Sequence, residues 1–300
     1  MPRLPTPGDK DESKPGLPCC SRADPDLTLA AANGATAAEP LHFAVGPFQP
    51  TATDTKKAYE PFFAYVAKAL GADYDVQVSS DRAGIAIALA NNRADIAWMG
   101  PWGYVLANHA GGTQAIAMVK YDGKPVYHAI IVGKPTLDIK HWPQDAKGMS
   151  ISFADVGSTS GWLIPTFWFK SQGINPKTFF NYRDGSTHPA NELAVVNGQV
   201  DLATDYDRNR NSMIEKGRIP ADATKIIWTS DPLPNDALAV RKGLDPALIA
   251  KLQQLVLAIS PDQAKLVMPA HYTGWVPANN GDYKMIEHAG LMVGALKAAN

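Results

Sequence analysis

From Leu41 onward, short apolar runs alternate with amphipathic stretches, and the alternation occurs twice along the chain. Strand–helix–strand rhythm of this kind buries its apolar faces as sheets covered by helices. Leu41–Val45 reads as a strand stopped by Gly46 and Pro47. Tyr59, Phe62, Phe63, Val66 and Leu70 recur at helical spacing, so 58–70 is predicted helical, with Gly71 as its stop. Tyr74–Val78 is a second strand, 81–91 a helix capped by Asp81, and 94–99 a third strand ended by Gly100 and Pro101. A helix through Tyr104 follows, then strands over 115–120 and 127–132. The second run places strands at 150–153, 181–183, 200–203 and 226–229, separated by helices over 161–172, 189–197 and around 213–216. A last strand at 237–240 precedes a helical return over 248–259. The expected fold class is α/β with two lobes. Residues 41–133 plus 238–300 form the first, and 134–237 the second. Chain crossings near 133 and 237 make a two-strand hinge.

Composition removes several function classes. The chain has 28 Lys+Arg against 29 Asp+Glu, so no basic face is expected for nucleic acid or an anionic membrane. No stretch approaches the ~20 apolar residues of a membrane span. The two cysteines, Cys19 and Cys20, are adjacent and lie in the tail, which leaves neither a disulfide framework nor a CxxC site. Residues 1–40 mix Pro, Gly and charge without periodicity. They read as a disordered tail, a degenerate signal segment with Ala35-x-Ala37 as a cleavage site, a misassigned start or a cloning remnant.

Four segments offer chemistry. Asp155-Val-Gly-Ser158-Thr159-Ser160-Gly161 lies between a strand and a helix, where hydroxyls and free N–H groups converge. That makes either an oxyanion cradle or a plain Ser/Thr cap. It matches neither a phosphate loop nor a nucleophile elbow, because Thr159 stands where Gly-x-Ser-x-Gly needs serine. Arg82, in the first turn of a helix, is unfavourable for the dipole, so it is either a surface residue or an anion contact. Trp98, Trp102 and Tyr104 crowd a strand-to-helix turn as core or as pocket wall. His188, before a helix, and Asp205-Tyr206-Asp207, after a strand, lie where open α/β sheets hold ligands. The seven histidines lack metal spacing, so no metal or cofactor is expected, and no catalytic triad is legible.

Taken in order, these residues resemble one family. Asp95-Ile-Ala-Trp-Met-Gly-Pro101, Asp122-Gly-Lys-Pro-Val-Tyr127, Gly157-Ser-Thr-Ser-Gly161, His188, Leu193-Ala-Val-Val-Asn-Gly-Gln-Val-Asp201 and Ile227-Trp-Thr-Ser-Asp-Pro-Leu-Pro-Asn-Asp236 carry the likeness. It is to the periplasmic substrate-binding proteins of phosphonate-type ABC importers, over about residues 41–260. The resemblance implies a two-lobed class II binding fold that closes on its ligand, a periplasmic location, and permease and ATPase partners. A monomer without enzymatic activity is expected. By position, Ser158, Thr159 and Ser160 would hold the anion, with Tyr127 and His188 closing over it. Asp236 and the segment around Asp205–Arg208, with Tyr206, would face them, and Trp102 and Arg82 complete the expected site.

Two departures bear on the ligand. Aminoalkylphosphonate binders place an acid near position 208 and tend to carry tyrosine at position 82; this chain has Arg208 and Arg82. A cation in place of a carboxylate is wrong for an aminoethyl tail. The expectation is therefore phosphite or hypophosphite, with an organophosphonate such as aminoethylphosphonate as the alternative. A sensor for another anion keeps the fold. A hydrolase using Ser158 or Ser160 with His188 as base is the reading from a different class.

Overall fold

A computed structural model of the chain describes residues 39–49, 51–79 and 82–297, with the Arg82 and Ala83 side chains outside that description. The expectations for residues 1–38, for Asp81 as a cap and for the Arg82 side chain lie outside the described residues.

The first strand–helix run comprises β1 (Leu41–Val45), α1 (Ala52–Leu70), β2 (Tyr74–Val78), α2 (Arg82–Ala90), β3 (Ile96–Met99), α3 (Pro101–Gly111) and β4 (Gln114–Tyr121). Helix α1 starts six residues before the predicted Ala58. The Thr51 hydroxyl caps it, accepting from Asp54 N–H at 3.0 Å, and Gly71 ends it in the left-handed region at φ 70°. Two short strands follow, β5 (Val126–Tyr127) and β6 (Ala129–Gly133). The second run is β7 (Ser150–Ala154), a π-helical turn over Thr159–Leu163, α4 (Ile164–Ser171), α5 (Pro176–Phe179), β8 (Asn181–Ser186), α6 (His188–Val196), β9 (Leu202–Tyr206), α7 (Asp207–Glu215) and β10 (Lys225–Thr229). The chain returns through β11 (Leu233–Pro234), β12 (Ala237–Val240), α8 (Pro246–Leu257), α9 (Pro261–Val267), β13 (Tyr272–Pro277) and α10 (Lys284–Val293).

Two sheets result. The first has the order β13-β4-β12-β3-β1-β2, and the second β10-β6-β9-β7-β8. In the first, β1 pairs in parallel with β2 and β3, while the returning β12 inserts antiparallel between β3 and β4. In the second, β7 pairs in parallel with β8 and β9, and β6 runs antiparallel to β9 and β10. This is the two-lobed α/β architecture expected from the alternation.

The crossing falls earlier than 133. Strand β6 is wholly buried and lies in the second sheet between β9 and β10, because its unbroken apolar run suits a position covered on both faces. The link between sheets is instead the antiparallel pair β5–β11, with Leu233 opposite Tyr127 and Pro234 opposite Val126. The predicted 127–132 strand is split at His128, whose N–H donates to Asp207 Oδ2 at 3.2 Å and whose Nδ1 lies 2.9 Å from the Ser230 carbonyl. Both sheets belong to one compact unit.

Trp98 resolves the choice between core and pocket wall in favour of core. It is fully buried, and Tyr59, Phe62 and Tyr272 meet its ring edge-on at 5.0–5.2 Å. A second apolar cluster runs across the junction of the lobes, joining Met99, Trp102 and Tyr283 to Leu163 and Ile164. Helix α10 packs on both α3 and α4, so the C-terminal return clasps the two lobes. Among the described residues, no helix is long and apolar enough to cross a membrane.

Candidate functional site

Strand β7 delivers Ala154 to the junction of the lobes, and a tight turn follows. Ser158 N–H donates to the Asp155 carbonyl at 2.9 Å, and Gly157 N–H to Asp155 Oδ1 at 3.0 Å. Ser158 then caps the next helix, its Oγ accepting from Gly161 N–H at 3.0 Å. The first turn is π-helical, with Leu163 N–H reaching back five residues to the Ser158 carbonyl at 3.0 Å. A glycine is required at 161. A Cβ there would sit 2.3 Å from Ala154 Cβ and 2.7 Å from His188 Cε1. The loop is therefore a cap that also walls a cavity: Ser158, Thr159 and Ser160 are buried, yet all three line a cavity between the lobes.

Helix α6 brings His188 to the same place. The Thr187 hydroxyl caps α6, and His188 follows as its first residue. The imidazole Nε2 lies 3.0 Å from Ser158 Oγ, and Nδ1 lies 3.0 Å from Asp205 Oδ1 on β9. Tyr206 meets the imidazole edge-on at 4.7 Å.

The opposite wall comes from the hinge. Asn235, directly after β11, receives Arg208 Nη1 on its side-chain oxygen at 3.0 Å, and its amide donates to the Val119 carbonyl at 2.9 Å. Its main-chain carbonyl accepts from Tyr283 Oη at 3.1 Å. The Arg208 Nη2 reaches the Val126 carbonyl at 3.3 Å, and the guanidinium lies over the rings of Tyr121 and Tyr127 at 4.6 and 4.9 Å. Among the described residues, no carboxylate lies within 4.0 Å of this buried cation. Asp236 follows, with Oδ2 3.4 Å from the Trp98 indole nitrogen.

The cavity they enclose is about 60 Å³. Of the expected site residues, Tyr127, Ser158, Thr159, Ser160, His188, Tyr206 and Asp236 line it. Two do not. Trp102 lies behind the cradle: its N–H donates to Thr159 Oγ1 at 2.9 Å and its indole N–H to the Val156 carbonyl at 3.2 Å. Asp205 sits beneath His188, fully buried, because β9 turns it away from the cleft and into the second lobe. Phe48 and Tyr272 line the cavity without having been singled out from sequence, and Gly100, Pro101 and Asn235, known there only as parts of motifs, line it too. Arg208, known from sequence as a departure from the family pattern, lines it as well.

Three phenols, the His188 imidazole, the Arg208 guanidinium and the Asp236 carboxylate set the electrostatics of the cavity. Burial, then the charge of Asp236, pushes the Tyr127 phenol well above its ordinary value, while hydrogen bonds with Thr159 and Ser160 pull the other way. Burial and Asp236 act alike on Tyr272, and burial chiefly on Tyr206. All three phenols therefore keep their protons and can donate. A groove of about 420 Å³ adjoins the cavity and shares Phe48, His188 and Tyr206 with it. Among the described residues, no group of three His, Cys, Asp or Glu could hold a metal ion. An open groove of about 650 Å³ between α1 and β2 brings together no such constellation.

The family model described as "ABC transporter, phosphonate, periplasmic substrate-binding protein" matches residues 43–283. The phosphate-import protein PhnD of Mycolicibacterium smegmatis is 26% identical over 267 residues, covering 82% of this chain and 83% of that protein. The phosphonates-binding periplasmic protein of Escherichia coli is 26% identical over 228 residues, covering 74% and 67%. Among solved structures, a binding-protein component of an ABC phosphonate transporter from Pseudomonas aeruginosa superposes with a TM-score of 0.75 at 23% identity, covering 85% of this chain and 87% of that one. PhnD1 of Prochlorococcus marinus, solved with methylphosphonate, gives 0.73 at 16% identity and covers 85% and 98%.

Proposed function

The chain belongs to the periplasmic substrate-binding proteins of phosphonate ABC transporters, and from that premise we propose that its cleft captures a small reduced-phosphorus oxyanion, phosphite or hypophosphite. The observation that carries this reading is the cavity of about 60 Å³, closed by aromatic rings on one side and the Ser158–Ser160 cradle on the other. An anion docked there meets hydroxyl and N–H donors at a helix terminus and the Arg208 guanidinium across from them. A P–H bond takes no ordinary hydrogen bond, so a ring face suits it, and tight walls disfavour the added oxygen of phosphate. Asp236 accepts from the P–OH of the phosphite monoanion and repels the phosphite dianion. Arg208 opposes the ammonium of an aminoethyl tail.

The expected cycle makes and breaks no bond. The lobes open and close about the β5–β11 pair, and the loaded, closed protein is presented to a permease driven by an ATPase. Its expected state in solution is monomeric. Ser158, His188 and Asp205 do have nucleophile–base–acid spacing at 3.0 and 3.0 Å. Ser158 Oγ, however, also caps the following helix by accepting from Gly161 N–H, which fits a binding hydroxyl better than a nucleophile.

The adjoining groove of about 420 Å³ favours a second reading, an organophosphonate whose substituent leaves the cavity past His188 and Phe48. Isothermal titration against hypophosphite, phosphite, phosphate, methylphosphonate and aminoethylphosphonate separates the two. Binding of the first two is expected. Failure of both with tight aminoethylphosphonate binding overturns the small-anion reading. Ser158→Ala should weaken capture about 10- to 100-fold, as for loss of a charge-assisted hydrogen bond. Ester turnover by the wild type that Ser158→Ala abolishes would establish the hydrolase instead.

A further inference from the structure

Behind the cavity wall, two carboxyl groups are buried against one another. Glu192 on α6 and Asp205 on β9 are both fully buried. Glu192 Oε2 accepts from the Thr224 hydroxyl at 3.1 Å, and Asp205 Oδ2 from the Asn209 amide at 2.8 Å. Asp205 Oδ1 is the atom that faces His188 Nδ1. Two ionised carboxyl groups cannot share a dry site, so one of them holds a proton and donates it to the other. Burial, then the charge of Asp205, pushes Glu192 up to about 9. Burial pushes Asp205 up only to about 7, because hydrogen bonds from Glu192 and Asn209 hold it down. Asp205 has the Asn209 amide and the His188 imidazole beside its oxygens to stabilise a charge, so the shared proton is assigned to Glu192.

On the far side of the imidazole, Nε2 faces Ser158 Oγ at 3.0 Å, and that oxygen already accepts from Gly161 N–H. A serine hydroxyl has one proton to give and two lone pairs. With Nε2 bare, Ser158 donates to the imidazole and offers the cavity no proton. With Nε2 protonated, Ser158 accepts twice and its O–H is left to point into the cavity. Since Nδ1 faces Asp205, the second state needs two protons on the imidazole, balanced by an ionised Asp205.

We propose that Asp205, supported by the Glu192 proton, is a positioning residue that keeps His188 doubly protonated, so that the Ser158 hydroxyl donates into the cavity and oxyanion capture is coupled to a proton on the imidazole. The proposal rests on the oxyanion reading of the cleft. Among the described residues, the following groups also face this chain. Tyr206 lies edge-on to His188 and keeps its proton. Asp207 adds negative charge beside Asp205. Arg210 moderates Glu192 and is itself held by Thr224 Oγ1 at 3.1 Å and the carbonyls of Ala221 and Thr224 at 3.0 and 2.8 Å. Arg208 is turned toward the hinge.

The sign follows from mass action. The bound form needs the Nε2 proton, so binding takes up a proton wherever the free protein has lost it. Affinity is then flat on the acid side and falls up to about tenfold per pH unit above the titration of the His188–Asp205 pair. The test uses the full chain with hypophosphite, a monoanion throughout, and with methylphosphonate corrected for its own ionisation. Titrations from about pH 6 to 9, in buffers of different ionisation heat, read the protons taken up per anion bound. Nitrogen-15 NMR of the imidazole reads the protonation state directly. In the wild type, uptake rising toward one proton and a doubly protonated His188 at neutral pH are expected. Asp205→Asn removes the balancing charge, so uptake vanishes, the profile flattens and the imidazole becomes singly protonated. Wild-type binding without uptake, a singly protonated His188 at neutral pH, or uptake that survives Asp205→Asn overturns the proposal. If neither anion binds at any pH, the oxyanion reading itself fails and the proposal with it.

Discussion

The backbone N–H of Trp102, at the start of α3 in the first lobe, donates to the Thr159 hydroxyl in the second lobe at 2.9 Å. The indole N–H of the same residue donates to the Val156 carbonyl at 3.2 Å. Together they fasten one helix N-terminus onto the cradle of the other lobe. Trp102 thus acts from behind the site, as part of what holds the cleft shut.

Trp102→Phe keeps the backbone bond and removes the indole bond. The expected loss is about five- to tenfold in anion affinity, or ~1 kcal/mol, with the folded content retained. Titration calorimetry alongside far-UV circular dichroism checks it. Unchanged affinity would mean that the Val156 contact plays no part in closure.

Gly161 is where the cradle leaves no room. A Cβ would meet Ala154 Cβ at 2.3 Å, His188 Cε1 at 2.7 Å and Ser158 Oγ at 3.0 Å. Gly161→Ala should cost about 2–3 kcal/mol by overpacking, lowering Tm by about 5–10 °C. Anion binding should fall by more than about 100-fold, because the Ser158 hydroxyl and the imidazole are displaced together. Gly290→Ala, whose Cβ would lie 2.5 Å from the Trp102 ring, is the matched variant: it reaches the cradle only through Trp102, so its binding loss should be no larger than that of Trp102→Phe.

These contacts also explain what sequence reading could reach. The strand–helix rhythm and the Ser158–Ser160 cradle are local patterns, so the two sheets and the cap could be read from neighbouring residues. Strand β13 could not. Gly274, at φ 116°, and Pro277 interrupt its alternation, and its partner β4 lies some 150 residues away. Tyr272 therefore reached the cavity wall with no local signal. The β5–β11 pair has two residues on each side, too few for a period to register. Arg208 left a trace only as a departure from the family pattern, a cation where aminoalkylphosphonate binders place an acid. What holds it there, the Asn235 amide and two tyrosine rings, is contributed by parts of the chain that meet only at the hinge.

Arg208 is the chief candidate for ligand preference. Arg208→Glu places a carboxylate near Asp236 and withdraws the cation from the cavity. Affinity for phosphite or hypophosphite should fall by about 100-fold or more, or ~3 kcal/mol. The ratio of aminoethylphosphonate to phosphite affinity should rise at the same time. Arg208→Gln, which removes the cation without adding a negative charge, should lose less. Equal losses for every ligand in both variants would assign Arg208 to the hinge alone.

Glu192 makes a prediction about stability rather than binding. Its folded carboxyl is raised from 4.5 to about 9, chiefly by burial and then by Asp205. Below about pH 4.5 both folded and unfolded chains hold the proton, and the contribution of the group is complete. As pH rises toward 9, the unfolded chain releases its proton while the folded chain retains it, so stability drains away across that window. Glu192→Gln keeps the shape and the donor to Asp205 but has no proton to lose. The variant should therefore be more stable than the wild type by about 1–3 kcal/mol at neutral to mildly alkaline pH, and no more stable near pH 4. Thermal unfolding followed across that range measures the difference. A Glu192→Gln variant that is less stable at pH 8 would mean that the folded protein holds Glu192 ionised, and the proton would then have to reside on Asp205.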